Sequence, residues 1–296
     1  MNNKSIFDRV TVIIVTFHSE YIIERCLKNI DERFKKIIIE NSNNLEFTRN
    51  LKNKYKNTEC HNTGYDSGFP KALNCGFKLA QTEYLISANP DSFPDQNCFE
   101  QLIKTADQFP EAALIVPASY NENDKEFKEY GYFSNNENKY KLSNNNILEV
   151  DWVTGNIFLI RKNDLDTIGY YDENIFLQYD DIDYCKRIFN HNRKVLIDFN
   201  CKSKHLEGKS HNPEFKFQMK CESSWHTSWS CYYYYKKHFG ILLALKKCLP
   251  ITIGYFLKFI YFFLINKKEK KKIYFLLVSG FYHSIKGRKS FYRVVL

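Results

Sequence analysis

The sequence predicts an α/β fold: a mixed, mainly parallel sheet flanked by helices, followed by a helical, basic and aromatic extension. Three observations carry this. The continuous apolar, β-branched runs Val10–Val15 and Lys36–Ile39 read as buried strands, and Tyr21–Ile30 between them has helical spacing. Such a strand–helix–strand order with short connections implies a right-handed crossover and a parallel sheet. After about Gln218 the pattern becomes helical and heavily aromatic.

The remaining elements follow in order. A polar, Gly-containing loop, Asn62-Thr63-Gly64-Tyr65-Asp66-Ser67-Gly68, opens a helix from about Pro70 to Ala80, with Pro near its first position. Tyr84–Ala88 is a short strand, Cys98–Gln108 an amphipathic helix and Ala113–Val116 a further strand. The polar, Asn-rich stretch from about Tyr120 to Asn146 reads as an excursion of hairpins or loops at the sheet edge. Val150–Ile160 is apolar and broken by Gly155; Asn163–Ile168 is a short helix stopped by Gly169; Asp180–Phe189 is a helix opened by acids; Val195–Ile197 is a late strand.

Composition narrows the class. Of the net charge of +9, the segment from Lys236 to the end contributes +13, leaving −4 on everything before it. Such a basic tail can meet anionic lipid or nucleic acid. The nine cysteines are odd in number and none stand at C-x-x-C spacing, which argues against a disulfide framework and a Cys-type metal site. The first apolar run is too short for a signal-peptide core. A reducing, cytoplasmic location is the expectation.

Three strand ends carry polar groups: Thr16-Phe17-His18, Glu40-Asn41-Ser42 and Asn89-Pro90-Asp91. A parallel sheet gathers them on the edge where α/β proteins bind ligands. A carboxylate delivered there, as at Asp91, suits a divalent cation carrying phosphates. Glu40 at its strand end can accept hydrogen bonds from a base or ribose. Gly64 and Gly68 permit close backbone approach, and Lys71, unusual in a first helical turn, suits a diphosphate. Tyr179-Asp180-Asp181-Ile182-Asp183 sets three carboxylates at a helix start. They gain from the helix dipole, and they raise one another's pKa, which helps one of them act as a general base. His205 follows a strand and can lie on the same edge.

Taken in order, these segments resemble family 2 glycosyltransferases of the GT-A fold, and within them the rhamnosyltransferase-like enzymes of bacterial polysaccharide synthesis. The resemblance runs from about Val10 to His211. It rests on Val12–Phe17, Glu40-Asn41-Ser42, Asn62–Tyr65, Gly68, Asn74-Cys75-Gly76, Asn89-Pro90-Asp91, Val153–Arg161, Ile168–Glu173 and Asp180–Arg187. It implies inverting transfer of a sugar from a nucleotide diphosphate donor, with dTDP-rhamnose favoured, to a lipid-linked saccharide in cell-surface polysaccharide or O-antigen synthesis. Thr16 and Glu40 would hold the base and ribose end, with Phe17, Asn41, Asn62, Gly64, Gly68, Lys71, Asn89 and Gly155 completing the donor site. Asp91 would bind Mg²⁺ or Mn²⁺, with His205 completing that site. Asp181 would take the acceptor proton, Asp180 being the alternative base. Three positions depart from the family's pattern: Glu40 stands where Asp is usual, Asp180 where Glu is common, and Asn89 replaces the first acid of an Asp-x-Asp motif.

The expected division is a catalytic domain over 1–217 and an extension over 218–296. In the extension, Ile251–Ile265 is apolar but shorter than the roughly 20 residues a spanning helix needs. With the lysines of 267–272 and the Trp225, Trp229 and Tyr232–Tyr235 cluster, it reads as a segment lying in a membrane interface rather than a nucleic-acid binder. The enzyme is therefore expected on the inner face of the plasma membrane, as a peripheral protein. Two other readings stay open. One is a sugar-nucleotide nucleotidyltransferase, which would normally show a Gly-rich loop where Thr16–Glu20 has none. The other is an inactive membrane-docking protein of the same fold.

Overall fold

The computed structural model describes residues 5–123, 125–126, 129–133, 142–143, 145–206 and 208–294. Its first strand, β1 (Val10–Thr16), is buried along its whole length. A strand with no polar face must be covered on both sides. β1 accordingly lies inside a sheet, between β2 (Lys35–Glu40) and β4 (Tyr84–Ala88), and is parallel to both.

The other strands are β3 (Thr58–Asn62), β5 (Ser92–Pro94), β6 (Ala112–Tyr120), β7 (Tyr130–Gly131), β8 (Ile147–Val150), β9 (Trp152–Val153), β10 (Ile157–Arg161) and β11 (Lys194–His205). Among the described residues the main sheet runs β3-β2-β1-β4-β10-β6-β11-β5, with β8 also on β11; β7 and β9 pair separately. β10 is antiparallel to β4 and β6, so the sheet is mixed and mostly parallel in its first half.

The period of two along each strand divides the core. Val12, Ile14, Ile38 and Ile86 pack on one face with Leu102 and Ile103 of α4 (Cys98–Gln108). Ile13, Val15, Ile39 and Leu85 pack on the other with Leu73 and Phe77 of α3 (Phe69–Leu79). Two further helices, α1 (Ile23–Lys28) and α5 (Lys162–Ile168), match expectation to within their ends.

The sequence reading passed over α2 (Leu45–Lys54) and β3. α2 buries only Phe47, Thr48 and Leu51, and its start is set by a cap: the Asn44 side chain accepts the Phe47 N–H at 3.0 Å. β3 lies at the sheet edge and needs no apolar run. β11 extends well past the expected Ile197. Its pairing with β6 shifts register between Asp198 and Lys202, and buried Asp198 accepts the Asn200 N–H at 2.8 Å there. The chain thus crosses a polar bulge without leaving the sheet and brings His205 opposite Ser92 of β5. Part of the excursion expected over Tyr120–Asn146, namely positions 124, 127–128, 134–141 and 144, lies outside the described residues; β7 falls within it.

The chain divides into two units, Met1–Tyr171 with Tyr184–Asn212, and Asp172–Asp183 with Pro213–Leu296. The second contains α7 (Lys216–Phe239), α8 (Ile241–Leu264), α9 (Lys268–Ile285) and the first turn of α6 (Asp180–Asn190). Gly280 lets α9 meet α7, because a Cβ there would fall on the Trp225 carbonyl oxygen. α8 is longer than the apolar run Ile251–Ile265 suggested. Lys246, Lys247 and Pro250 interrupt the apolar pattern but not the helix. At 24 residues it is long and apolar enough to cross a membrane by length and composition.

Candidate active site

In the first unit the carboxyl ends of β1, β2 and β4 form the expected rim. Thr16 and Glu40 stand in register across β1 and β2. The Thr16 hydroxyl is buried with no hydrogen-bond partner among the described residues. Glu40 is fully buried, and its carboxylate turns back onto its own loop. It accepts the Ser42 and Asn44 N–H groups, each at 2.8 Å, and the Ser42 hydroxyl. Such charge-assisted bonds fix the loop after β2.

Asn41 organises the next loop. Its Oδ1 accepts from the Thr63 hydroxyl at 2.9 Å, the Ser67 N–H at 3.0 Å and the Ser67 hydroxyl at 2.7 Å, and its Nδ2 donates to Asp66 at 3.2 Å. Asp66, which sequence reasoning did not single out, also accepts the Gly68 N–H. Gly68 caps α3 at φ 83°, ψ 159°, a conformation glycine adopts without strain. No side chain caps that helix end, so its first N–H groups are left for other partners. Lys71 is exposed in the first turn and donates to the Tyr65 hydroxyl at 2.7 Å. Asn62 is turned elsewhere, donating to Thr48 on α2. Phe17 packs edge-on against His18, their rings 4.8 Å apart.

Asp91, just past β4, is 1% exposed. Its Oδ2 accepts the Lys209 N–H at 3.1 Å, and its Oδ1 has no hydrogen bond but faces Nε2 of His205 at 3.4 Å. Other groups close on this carboxylate. Burial, and then the Asp91 charge, raise the Tyr21 hydroxyl and push the Cys26 thiol up to about 12. Burial lowers His211, with Asp91 opposing and His18 assisting. A buried carboxylate oxygen without a hydrogen bond, beside an imidazole nitrogen, is a donor pair that fits one divalent cation. Among the described residues no cluster of three metal-ligating side chains occurs. Such a cation would take its other ligands from phosphate and water, as Mg²⁺ commonly does.

Asn89 makes main-chain contacts: its N–H donates to Asn156 O at 2.8 Å. The side-chain amide of Asn156, buried beside Gly155, donates to the Ser119 hydroxyl at 2.6 Å and accepts from the Ser203 hydroxyl at 2.9 Å, so it ties β6 to β11 while its main-chain carbonyl holds the loop after β4. At Gly155 a Cβ would meet Phe158 at 2.9 Å, which gives that glycine a packing role.

In the second unit the acids separate by environment. Asp183 is fully buried and paired, with Lys237 Nζ at 2.7 Å and His238 Nε2 at 2.8 Å. Lys237 also meets Asp172 at 2.7 Å. These basic partners, more than fifty positions away, had no signal in the sequence. Asp180 is buried, and burial, followed by the Asp181 charge, holds its pKa well above the usual carboxylate range. Asp181 is partly exposed. The two residues before them, Gln178 and Tyr179, take φ of 67° and 65°, left-handed values costly for non-glycine residues. Strain of this kind concentrates at functional sites.

A mixed sheet with polar groups at the carboxyl ends of its parallel strands and helices packed on both faces is a fold of the GT-A type. Residues 11–169 match the model for glycosyl transferase family 2, and the chain belongs to that family. No curated protein matches its sequence. Solved structures of the same fold include a mannosyltransferase, PcManGT from Pyrobaculum calidifontis, with GDP-Man and Mn²⁺. It has TM-score 0.58 and 12% identity, over 95% of this chain and 88% of that one. S. aureus TarS 1-349 has TM-score 0.55 and 12% identity, over 96% and 93%. GalNAc-T7 with UDP, GalNAc and Mn²⁺ has TM-score 0.55 and 14% identity, over 69% of this chain. The matched region spans 45% of the GalNAc-T7 chain.

Proposed function

We propose that the protein transfers a sugar, with inversion, from a nucleotide diphosphate donor to a lipid-linked saccharide acceptor at the inner face of the plasma membrane. The observation that carries the reading is the buried Asp91 Oδ1 facing His205 Nε2 at 3.4 Å beyond a parallel strand end. Family resemblance favours L-rhamnose from dTDP-rhamnose and a product in cell-surface polysaccharide or O-antigen synthesis.

Asp91 and His205 would hold Mg²⁺ or Mn²⁺ on the donor diphosphate. That ion supplies positive charge to the departing nucleoside diphosphate. The loops organised by Glu40 and Asn41 would receive the nucleoside, and Lys71 with the open start of α3 would meet the phosphates. Asp181 takes the proton from the acceptor hydroxyl as that oxygen attacks the anomeric carbon. Asp180 is the less suitable base because burial opposes its ionisation.

Membrane association is supported by α8, where Leu242, Leu257, Phe263 and Leu264 are exposed, and by the lysines at 267, 268 and 270–272 that follow it. An apolar helix face beside a Lys cluster suits the interface of an anionic bilayer.

The test is incubation of the full chain with a panel of nucleotide sugars, Mn²⁺ and a polyprenyl-diphosphate saccharide in anionic vesicles. Glycosyl transfer with inverted anomeric configuration is the expected result. No transfer with any donor, together with no nucleoside diphosphate binding, overturns the reading.

A further inference from the structure

Lys236 and Lys237 are neighbours in the last turn of α7, but their surroundings differ. Lys237 is engaged by Asp172 and Asp183. Lys236 lines a cavity of about 350 Å³ in the second unit, with Arg288 and Lys289. All three are exposed, and among the described residues none of them forms an ion pair. Complementing the helix dipole accounts for Lys236, but not for Arg288 and Lys289, which lie beyond the end of α9.

The wall of this cavity is built to hold its shape. Trp229 and Tyr233 stack at 5.0 Å and 16°. The Trp229 indole N–H donates to Arg288 O at 3.0 Å, and the Tyr233 hydroxyl donates to Asp172 at 3.0 Å. Glu173 is the one carboxylate among the lining residues. Three cations against one acid leave two net positive charges, which repel one another unless an anion is present.

The geometry points to this cavity as the binding site for the diphosphate of the lipid-linked acceptor. A diphosphate diester carries two negative charges, matching the cavity's excess. The sugar attached to it would offer hydroxyls to Glu173 and a face to the aromatic wall. The prenyl chain has a path as well: Gly240 ends α7 just after Lys236 and opens α8, whose Leu242 is 85% exposed. This inference rests on the lipid-linked acceptor reading. The nucleoside diphosphate of the donor is assigned to Asp91 in the first unit, so the two anion sites can be tested apart.

The experiment uses the full chain and a variant carrying Lys236→Gln, Arg288→Gln and Lys289→Gln. A control variant carries Lys35→Gln, Lys56→Gln and Lys104→Gln, three exposed lysines of the first unit. Circular dichroism establishes that all three proteins are folded. Inorganic pyrophosphate is titrated in metal-free buffer and followed by tryptophan fluorescence. Partition is then measured onto phosphatidylcholine vesicles with and without polyprenyl diphosphate.

The cavity variant is expected to bind pyrophosphate on the order of fifty-fold more weakly, a few-fold per charge removed, and the control variant to match the unmodified protein. Only the unmodified and control proteins should gain partition from the diphosphate lipid. Equal pyrophosphate affinity in all three proteins overturns the site. Pyrophosphate binding lost in the cavity variant without any response to the diphosphate lipid overturns the lipid as its source and leaves a free phosphate compound. Nucleoside diphosphate binding with Mn²⁺ is expected to be unchanged in the cavity variant; its loss there overturns the separation of the two sites. Neither binding readout depends on sugar transfer, so failure of the enzymatic reading is seen separately.

Discussion

Nε2 of His205 lies 3.4 Å from Oδ1 of Asp91, although 114 positions of chain separate them. The long β11 makes this possible by carrying His205 into register with Ser92, the residue after Asp91. Asp91→Asn removes a negative ligand and is expected to lower transfer by two orders of magnitude or more, about 3 kcal/mol of barrier. His205→Ala is expected to raise the Mn²⁺ concentration for half-maximal activity about ten- to a hundredfold while leaving saturated turnover closer to normal. Metal titration of donor binding checks both. Unchanged Mn²⁺ dependence in both variants would remove the pair from the reaction.

Asp181→Asn is expected to reduce turnover by about 10²- to 10⁴-fold, the usual contribution of a general base. Asp180→Asn should cost less than tenfold, since burial already opposes ionisation of that group. Loss of the Asp181 charge should also bring the Asp180 pKa down, because that charge is the second cause of its elevation. Full pH–rate profiles of both variants decide the assignment; a dead Asp180→Asn beside an active Asp181→Asn reverses it.

His226 is fully buried, its Nε2 donating to Tyr292 O at 2.9 Å and its Nδ1 accepting from Ser290. Burial is the main reason its pKa falls from 6.5 to about 3. Between these values the unfolded chain binds the extra proton and the folded chain does not. Stability is therefore full above pH 6.5 and is lost as pH drops toward 3, by roughly 5 kcal/mol in all. Urea unfolding across that range should show the loss in the unmodified protein and a smaller one in His226→Gln. Parallel curves would exclude His226 as the cause.

Two glycines of the helical unit should respond with opposite signs. Gly280→Ala would drive a methyl group into the Trp225 carbonyl and is expected to destabilise by about 3 kcal/mol or more. Gly254, inside α8, has open space around it, and Gly254→Ala should stabilise by about 1 kcal/mol through helix propensity. Thermal unfolding of the two variants checks the contrast. A neutral Gly280→Ala would mean that the α7–α9 contact is not close in solution.

What was legible in the sequence followed from period and punctuation. Val10–Val15 and Lys36–Ile39 declare buried strands because a two-sided sheet needs an unbroken apolar run. Asn62–Gly68 declares a helix entry through its glycines and Pro70. β3 and α2 escaped because an edge strand and a half-exposed helix carry few apolar residues. β11 was underestimated because its later half is polar and crosses a bulge. The length of α8 was underestimated because lysines and a proline interrupt its pattern without ending its hydrogen bonding.

The sequence by itself determined the fold class, the strand ends that carry polar groups, the acids that open α6 and the strongly basic character of the last sixty residues. These are local properties, written in periods of two and 3.6 and in single residues at element ends. Only the tertiary structure decided the partners. It set His205 against Asp91, turned Glu40 onto its own loop, joined Asp183 to Lys237 and His238, and left Lys236, Arg288 and Lys289 around one cavity. Partnership between distant residues depends on strand register and helix packing, and no local pattern encodes which lone pair a carboxylate will have left to offer.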